Sequence, residues 1–255
     1  MIDIHLSLLP NIRKGPNVAE TFLEMSKTLI DHGVTAVAAT PFYDGQDPEF
    51  EKHNIITYVE AANETLQRAS LPLQIVPGQR ALIHPNLYRS YENNHLLTIN
   101  ENSKYMLLQI PTDDFSSYIE YVTYQLQLSG VIPIISEPEC HFHFVANPDR
   151  LYRLVKRGVI VQLSSSSIVG ENGRKAKKAA LTFLTNGLAH VIASGAHAGN
   201  YRSYSLRKAY DVLKKQYSSQ VMYMLMENAE AIINGQSVYK DPPERVKKEK
   251  FLRIF

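Results

Sequence analysis

At 255 residues with a formal charge of +2, the chain is too evenly charged for a nucleic-acid binder, and no Lys/Arg run resembles a groove-binding stripe. A single cysteine, Cys140, excludes a disulfide framework within the chain and suits a reducing cytosol. No apolar run approaches the roughly 18 residues of a membrane span, and Asp3 stands where a signal peptide would be basic. The expected class is therefore a soluble cytoplasmic protein, long enough to bury roughly 75% of its unfolded surface in one large core.

In chain order, Ile2 and Ile4 alternate with Asp3 and His5, the period of a short strand that carries His5 and Ser7 to its C-terminal edge. Val18, Phe22, Met25 and Leu29 then predict a helix over about Val18 to His32, closed by Gly33. A second strand spans Val34 to Thr40, stopped by Pro41, and Phe42 to Pro48 reads as loop. A long helix covers about Glu49 to Ala69, a third strand Leu73 to Val76, and Pro77-Gly78 ends it. A short helix follows at Pro85 to Asn93, then a strand at Tyr105 to Ile110 and a helix at Phe115 to Leu128.

Val131 to Ser136 is a buried apolar strand, Pro148 to Arg157 a helix, and Val159 to Leu163 a strand. Ser164 to Gly173 reads as a Ser- and Gly-rich loop before a helix to about Asn186. Val191 to Ser194 is the last strand, followed by helices near Ser205 to Gln216 and Gln220 to Asn234. Strands alternating with helices, without a linker, predict a mainly parallel sheet in one domain over 1–245, most simply a barrel. The segment 246–255 is a separate basic and apolar tail: Lys247, Lys248, Lys250 and Arg253 mix with Phe251, Leu252, Ile254 and Phe255. Its readings are a frayed, solvated terminus, or a docking element for an acidic partner or an anionic lipid surface, with at most peripheral membrane contact.

Several fragments carry a resemblance: Met1 to His5, Ala39-Thr40-Pro41, Pro77-Gly78-Gln79, Lys104-Tyr105, Val131 to Ile135, Glu137-Pro138-Glu139, Val191 to Ser194 and Glu227-Asn228-Ala229-Glu230. On these, the chain resembles the bacterial manganese-dependent tyrosine-protein phosphatases of capsule and exopolysaccharide operons, of the polymerase-and-histidinol-phosphatase (PHP) superfamily. The resemblance implies a distorted (β/α)7 TIM-like barrel. It also implies a cluster of metal ions at the C-terminal mouth that activates water for phosphate hydrolysis.

The ligand positions of that family depart from its pattern one by one. The opening His-x-His is His5 and Ser7, the Asp-Asp-Gly loop is Arg13-Lys14-Gly15, and the Thr-Pro-His-His turn is Thr40-Pro41-Phe42-Tyr43. The glutamate of Gly-Gln-Glu is Arg80, and the glutamate ending the next strand is Gln109. His-Pro-Glu-Arg is Glu137-Pro138-Glu139-Cys140, and Ser-Asp-Ala-His is Ser194-Gly195-Ala196-His197. Only His5 and His197 keep the family residue, with Glu137 and Gln109 as weak oxygen substitutes. A cation about 4 Å from a dication costs roughly 8 kcal/mol at an effective dielectric near 20, comparable to a micromolar binding energy of about 8 kcal/mol.

The expectation is thus a pseudophosphatase that has lost its multinuclear metal site, with no cofactor. It would bind or regulate a tyrosine kinase of polysaccharide export or a phosphotyrosine tail. Arg13, Lys14 and Arg80 are expected to converge on the mouth, pairing with Asp3, Glu137 and Glu139 or binding phosphate as an Arg fork does. Arg202 adds to them, because the resemblance places there an arginine thought to contact phosphate. The alternative is a weakly active phosphatase with a reduced or altered metal site built on His5, Glu139 and His197. The His-x-His of His141 and His143 beside Cys140 is a lesser candidate. Cys140 lacks the Cys-x5-Arg loop, since position 146 is Ala146, and Ser164 to Ser167 lacks the nucleophile elbow.

Overall fold

A computed structural model of the chain describes residues 1–10, 12, 15–101, 103–112 and 118–247. The strands are β1 (Ile2–Leu6), β2 (Ala36–Ala39), β3 (Phe42–Tyr43), β4 (Gln74–Pro77), β5 (Arg80–Leu82), β6 (Tyr105–Gln109), β7 (Ile132–Ser136), β8 (Ile160–Ser164) and β9 (Val191–Ala193). The helices are α1 (Ala19–Asp31), α2 (Lys52–Arg68), α3 (Leu87–Glu92), α4 (Tyr118–Leu128), α5 (Phe142–Ala146), α6 (Pro148–Lys156), α7 (Ser165–Val169), α8 (Gly173–Thr185), α9 (Leu206–Gln216) and α10 (Ser219–Ile233). No described helix is long and apolar enough to cross a membrane.

All strand pairs between these elements are parallel, in sheets ordered β1-β2-β4 and β3-β5-β6-β7-β8-β9. β2 and β3 are two pieces of one strand path, interrupted at Thr40–Pro41, and β4 and β5 are interrupted at Gly78–Gln79. Proline has no N–H for the ladder, which breaks the first path. The second breaks beside it. A Cβ on Gly78 would lie 3.0 Å from Thr40 Cγ2 and 3.3 Å from the Ala39 carbonyl oxygen, so the close backbone approach requires glycine. Counting each broken path once, the wall has the seven positions expected: β1, β2/β3, β4/β5, β6, β7, β8 and β9. The first and last meet through a parallel bridge between Leu6 and Ala196, with Ser7 N donating to Ala196 O at 2.8 Å and Gly195 N to His5 O at 2.9 Å. This is the distorted α/β barrel.

Each wall position sends apolar side chains to the interior: Ile4, Ala38, Val76, Leu107, Ile134, Ile160 and Val191 form one buried cluster. Burying each large aliphatic contributes roughly 1.5–3 kcal/mol. Ala229, Ile232 and Ile233 of α10 close this cluster at the floor, where α10 packs on β1 and β9. Polar groups there are paired: Ser103 Oγ donates to Ile232 O at 2.8 Å, Tyr105 Oη to Gln236 O at 2.7 Å, and Asn228 Nδ2 to His190 O at 2.7 Å. The outer helices bury a second core, as Phe22, Met25 and Leu29 of α1 do at helical spacing.

The structure corrects some sequence expectations. β3 falls in a stretch that reads as loop and β5 in one that reads as no element, because two- and three-residue strands show no period. The Ser164–Gly173 stretch contains α7, and the Cys140–His143 stretch leads into α5 rather than a loop. The helix expected from Glu49 is split, because Glu51 is extended (ψ 157°) between a 3-10 turn at Pro48–Phe50 and α2.

Candidate active site at the barrel mouth

The C-terminal ends of the strands gather His5, Arg80, Gln109, Glu137 and Gly195. β1 does not run in simple alternation: its register with β2 shifts between Asp3 and Leu6. Ile4 stays in the interior cluster while His5 turns to β8, where its Nδ1 bonds Gln162 Oε1 at 2.9 Å. Gln162 Nε2 donates to Leu163 O at 2.8 Å, which orients Oε1 as the acceptor. With Gln162 Oε1 as the acceptor, His5 carries its proton on Nδ1, the arrangement by which an orienting partner fixes a histidine's tautomer.

Glu137 sits in the left-handed region at φ 50°, ψ 45°, and its N–H donates to Gln162 O at 2.8 Å. Holding a non-glycine residue there costs about 1–3 kcal/mol. The turn delivers its carboxylate beside Gly195, itself at φ 62°: a Cβ on Gly195 would lie 2.8 Å from Glu137 Oε1 and 3.9 Å from His5 Cε1. Position 195 is where the resembled motif has aspartate, so the Glu137 carboxylate fills the space that an acidic side chain at 195 would need. The two departures are sterically complementary.

Arg80 faces the same charge. Burial pushes its guanidinium below the ordinary pKa, and the Glu137 carboxylate opposes that shift. The guanidinium carbon lies 5.4 Å from the Phe42 ring centroid, and Nε is buried without a hydrogen-bond partner among the described residues. Gln109 Oε1 and His84 Nε2 are also buried and unpartnered there. Glu139 Oε1 accepts from Ser164 N at 2.7 Å, while Oε2 is unpartnered. Burial first, then Glu137, push the Glu139 carboxyl up to about 8, so it is neutral at pH 7.

Other expected site residues lie elsewhere. Arg13 and Lys14 are outside the described residues. Among the described residues, Asp3 and Glu139 are held by backbone N–H groups, and Asp3 also by a hydroxyl. Asp3, fully buried, accepts from Ser194 N at 3.1 Å, Tyr204 Oη at 2.9 Å and His5 N at 3.2 Å. His197 follows the last strand, but its Nδ1 accepts from Gly199 N at 3.0 Å, which puts the neutral ring's proton on Nε2, the reverse of His5. Arg202 is exposed; its Nε donates to Tyr201 Oη at 3.3 Å, and that hydroxyl donates to Glu24 Oε2 of α1 at 2.9 Å. At Cys140 burial pushes the thiol up to about 11, which disfavours the thiolate that a nucleophile needs. His141 bonds Pro111 O through Nε2 at 2.7 Å. Gln162 went unnoticed in the sequence; its one signal was a polar residue inside an apolar strand.

A family model for capsular polysaccharide synthesis, CpsB/CapC, matches residues 1–234. The tyrosine-protein phosphatase YwqE of Bacillus subtilis is 32% identical over 255 residues, all of both chains. The putative tyrosine-protein phosphatase CapC of Staphylococcus aureus is 28% identical over 252 residues, 98% of each. In solved structures, the chain superposes on YwqE with a TM-score of 0.92 at 33% identity, covering 97% of this chain and all of that one. YwqE and the CpsB protein of Streptococcus pneumoniae are described with that structure as metal-dependent tyrosine phosphatases. This overturns the expectation that no cofactor is involved: a metal is the cofactor to expect. The described residues do not fit a multinuclear cluster, because no three His, Cys, Asp or Glu side chains among them gather around one point. By its matched length and its relatives, the chain belongs to the CpsB/CapC family of capsular polysaccharide synthesis.

Proposed function

We propose that this protein recognises phosphotyrosine at the barrel mouth and turns it over slowly, serving capsule synthesis as a binding or regulatory member of its phosphatase family. Arg80 carries the reading. It is a guanidinium at a position where the resembled family has an acidic ligand, flanked by an aromatic ring and with a buried donor unpartnered. Such a group suits a phosphate oxygen. Slow turnover is supported by the small donor set for the family's metal. A phosphotyrosine-bearing kinase of polysaccharide export is the partner this reading takes.

One observation favours a second reading, a weakly active phosphatase with a reduced metal site: the Gln162-oriented ring of His5. A single experiment separates the two. The protein and the B. subtilis relative are assayed side by side for hydrolysis of a phosphotyrosyl peptide, with manganese or with chelator, and for peptide binding by fluorescence anisotropy. The expected result is peptide binding lost in Arg80→Met, with turnover far below that of the relative. Weak turnover abolished by the chelator would select the second reading, turnover matching the relative would overturn both, and binding unchanged in Arg80→Met would remove Arg80 from the first.

A further inference from the structure

On α10, Gln220, Tyr223, Met224 and Glu227 recur at i, i+3, i+4 and i+7, which places them on one helix face. The other face buries Met222, Leu225 and Ala229, so core packing makes no demand on the first. That outward face nonetheless carries a tyrosine, 54% exposed, and a half-buried methionine. It borders a groove of about 680 Å³ whose second wall holds Tyr239 and Asp241.

The second wall is fixed to the helix. Buried Asn228 clamps the backbone of Tyr239, its Nδ2 donating to Tyr239 O at 3.0 Å and its Oδ1 accepting from Tyr239 N at 2.8 Å. Tyr239 Oη donates to Asp241 Oδ1 at 3.1 Å, which holds that carboxylate in place. Tyr239 is itself 60% exposed, so two phenol rings open onto one groove. Neither Glu227 nor Asp241 enters an ion pair among the described residues, and no described residue lining the groove is a cation. The basic tail over 248–255 lies outside the described residues.

We propose that this groove docks a partner protein through an extended segment bearing Lys or Arg, its cations meeting Glu227 and Asp241 and lying over the rings of Tyr223 and Tyr239. Charge complementarity selects the occupant. A lining with two uncompensated carboxylates repels an anionic lipid surface or a nucleic acid and attracts cations. The rings act in the same direction, because a guanidinium or ammonium is drawn to the negative face of a tyrosine. Met224 adds an adaptable apolar contact for the stems of such side chains. A divalent metal is not the occupant, since no three His, Cys, Asp or Glu side chains among the described residues gather around one point. The groove's volume suits a segment of several residues better than a lone ammonium group.

The test is fluorescence anisotropy of the full chain with a short labelled peptide alternating Arg and Leu, with Glu-Leu and Ser-Leu counterparts as controls. Variants are the pair Glu227→Gln, Asp241→Asn and the pair Tyr223→Ala, Tyr239→Ala. A charge-matched control pair, Glu60→Gln, Glu92→Gln, removes exposed carboxylates from α2 and α3. Each is checked for an unchanged melting temperature. The Arg-Leu peptide alone is expected to bind, more weakly at about 0.5 M salt. Either groove pair should weaken it about five- to ten-fold, and the control pair should not. Failure of the wild type to bind, equal loss in the control pair, or full binding by both groove pairs overturns the proposal. Dimerisation of the wild type in sedimentation velocity that either groove pair abolishes would overturn it too, by assigning the groove to a second copy of this chain. None of these outcomes depends on the phosphotyrosine site, because no peptide used carries phosphate.

Discussion

The two ends of the barrel are built differently. At the floor, Ile4, Ile134, Ile160 and the α10 residues close an apolar layer whose neighbouring polar groups from Ser103, Tyr105 and Asn228 are hydrogen-bonded. At the mouth, Arg80, His84, Gln109 and Glu139 each keep a buried polar atom unpartnered among the described residues, and Glu137 holds a left-handed backbone. Buried polar atoms are normally satisfied, and each exception costs about 1–3 kcal/mol. The floor stabilises the fold; the mouth holds polar groups at a cost, as functional sites do.

Ile134→Ala should break the floor most severely, lowering unfolding free energy by about 3–4 kcal/mol through lost burial and a residual cavity. Urea denaturation checks it, and a loss under about 1 kcal/mol would mean that the interior layer is not the stabilising element.

His190 is the floor's exception, since its Nε2 is unpartnered while its Nδ1 accepts from Val161 N at 3.1 Å. Burial, with Lys240 adding to it, lowers its pKa from 6.5 to about 4. The unfolded chain takes up this proton first, so stability is full above pH 6.5 and falls as pH drops towards 4, by about 2–3 kcal/mol. His190→Gln should flatten that limb of the stability–pH curve, and an unchanged limb would assign it to other groups.

Gly195→Ala should cost about 1–2 kcal/mol, since φ 62° strains an L residue and the new methyl meets the Glu137 carboxylate at 2.8 Å. A substitution that is silent in thermal melts would contradict the steric complementarity of positions 137 and 195. The smallest effect sharpens the contrast best. Arg80→Met keeps the packing on Phe42 and removes an incompletely bonded guanidinium, so it should leave stability unchanged or raise it by about 1 kcal/mol while abolishing phosphotyrosyl-peptide binding. A loss above about 2 kcal/mol would make Arg80 a structural residue of the wall.

Much of the fold was legible in the sequence. The alternation of apolar strand runs with helices closed by Gly33, Gly130 and Gly187 placed the βα units and their order, because period and glycine chirality are local properties. The family fragments from Met1 to Glu230 pointed to the barrel and the family. The short strands at Phe42–Tyr43 and Arg80–Leu82 were hidden, because pairs that short are stabilised only by their neighbours. At the site, the sequence marked His5, Arg80, Glu137 and Gln109 as mouth positions and Gly195 as a lost carboxylate.

What the chain's chemistry determined by itself was which residue types stand at the strand ends and therefore how few metal donors the described site contains. Only the tertiary structure decided what those residues do to one another. Gln162, distant in sequence, sets the proton of His5, whereas Gly199, two residues along its own loop, sets that of His197 the opposite way. Glu137 occupies the room that glycine at 195 leaves, and Arg80, over the Phe42 ring, feels that carboxylate's charge. A tautomer, a shared void and a buried charge are properties of pairs in space, so no single position in the sequence carries them.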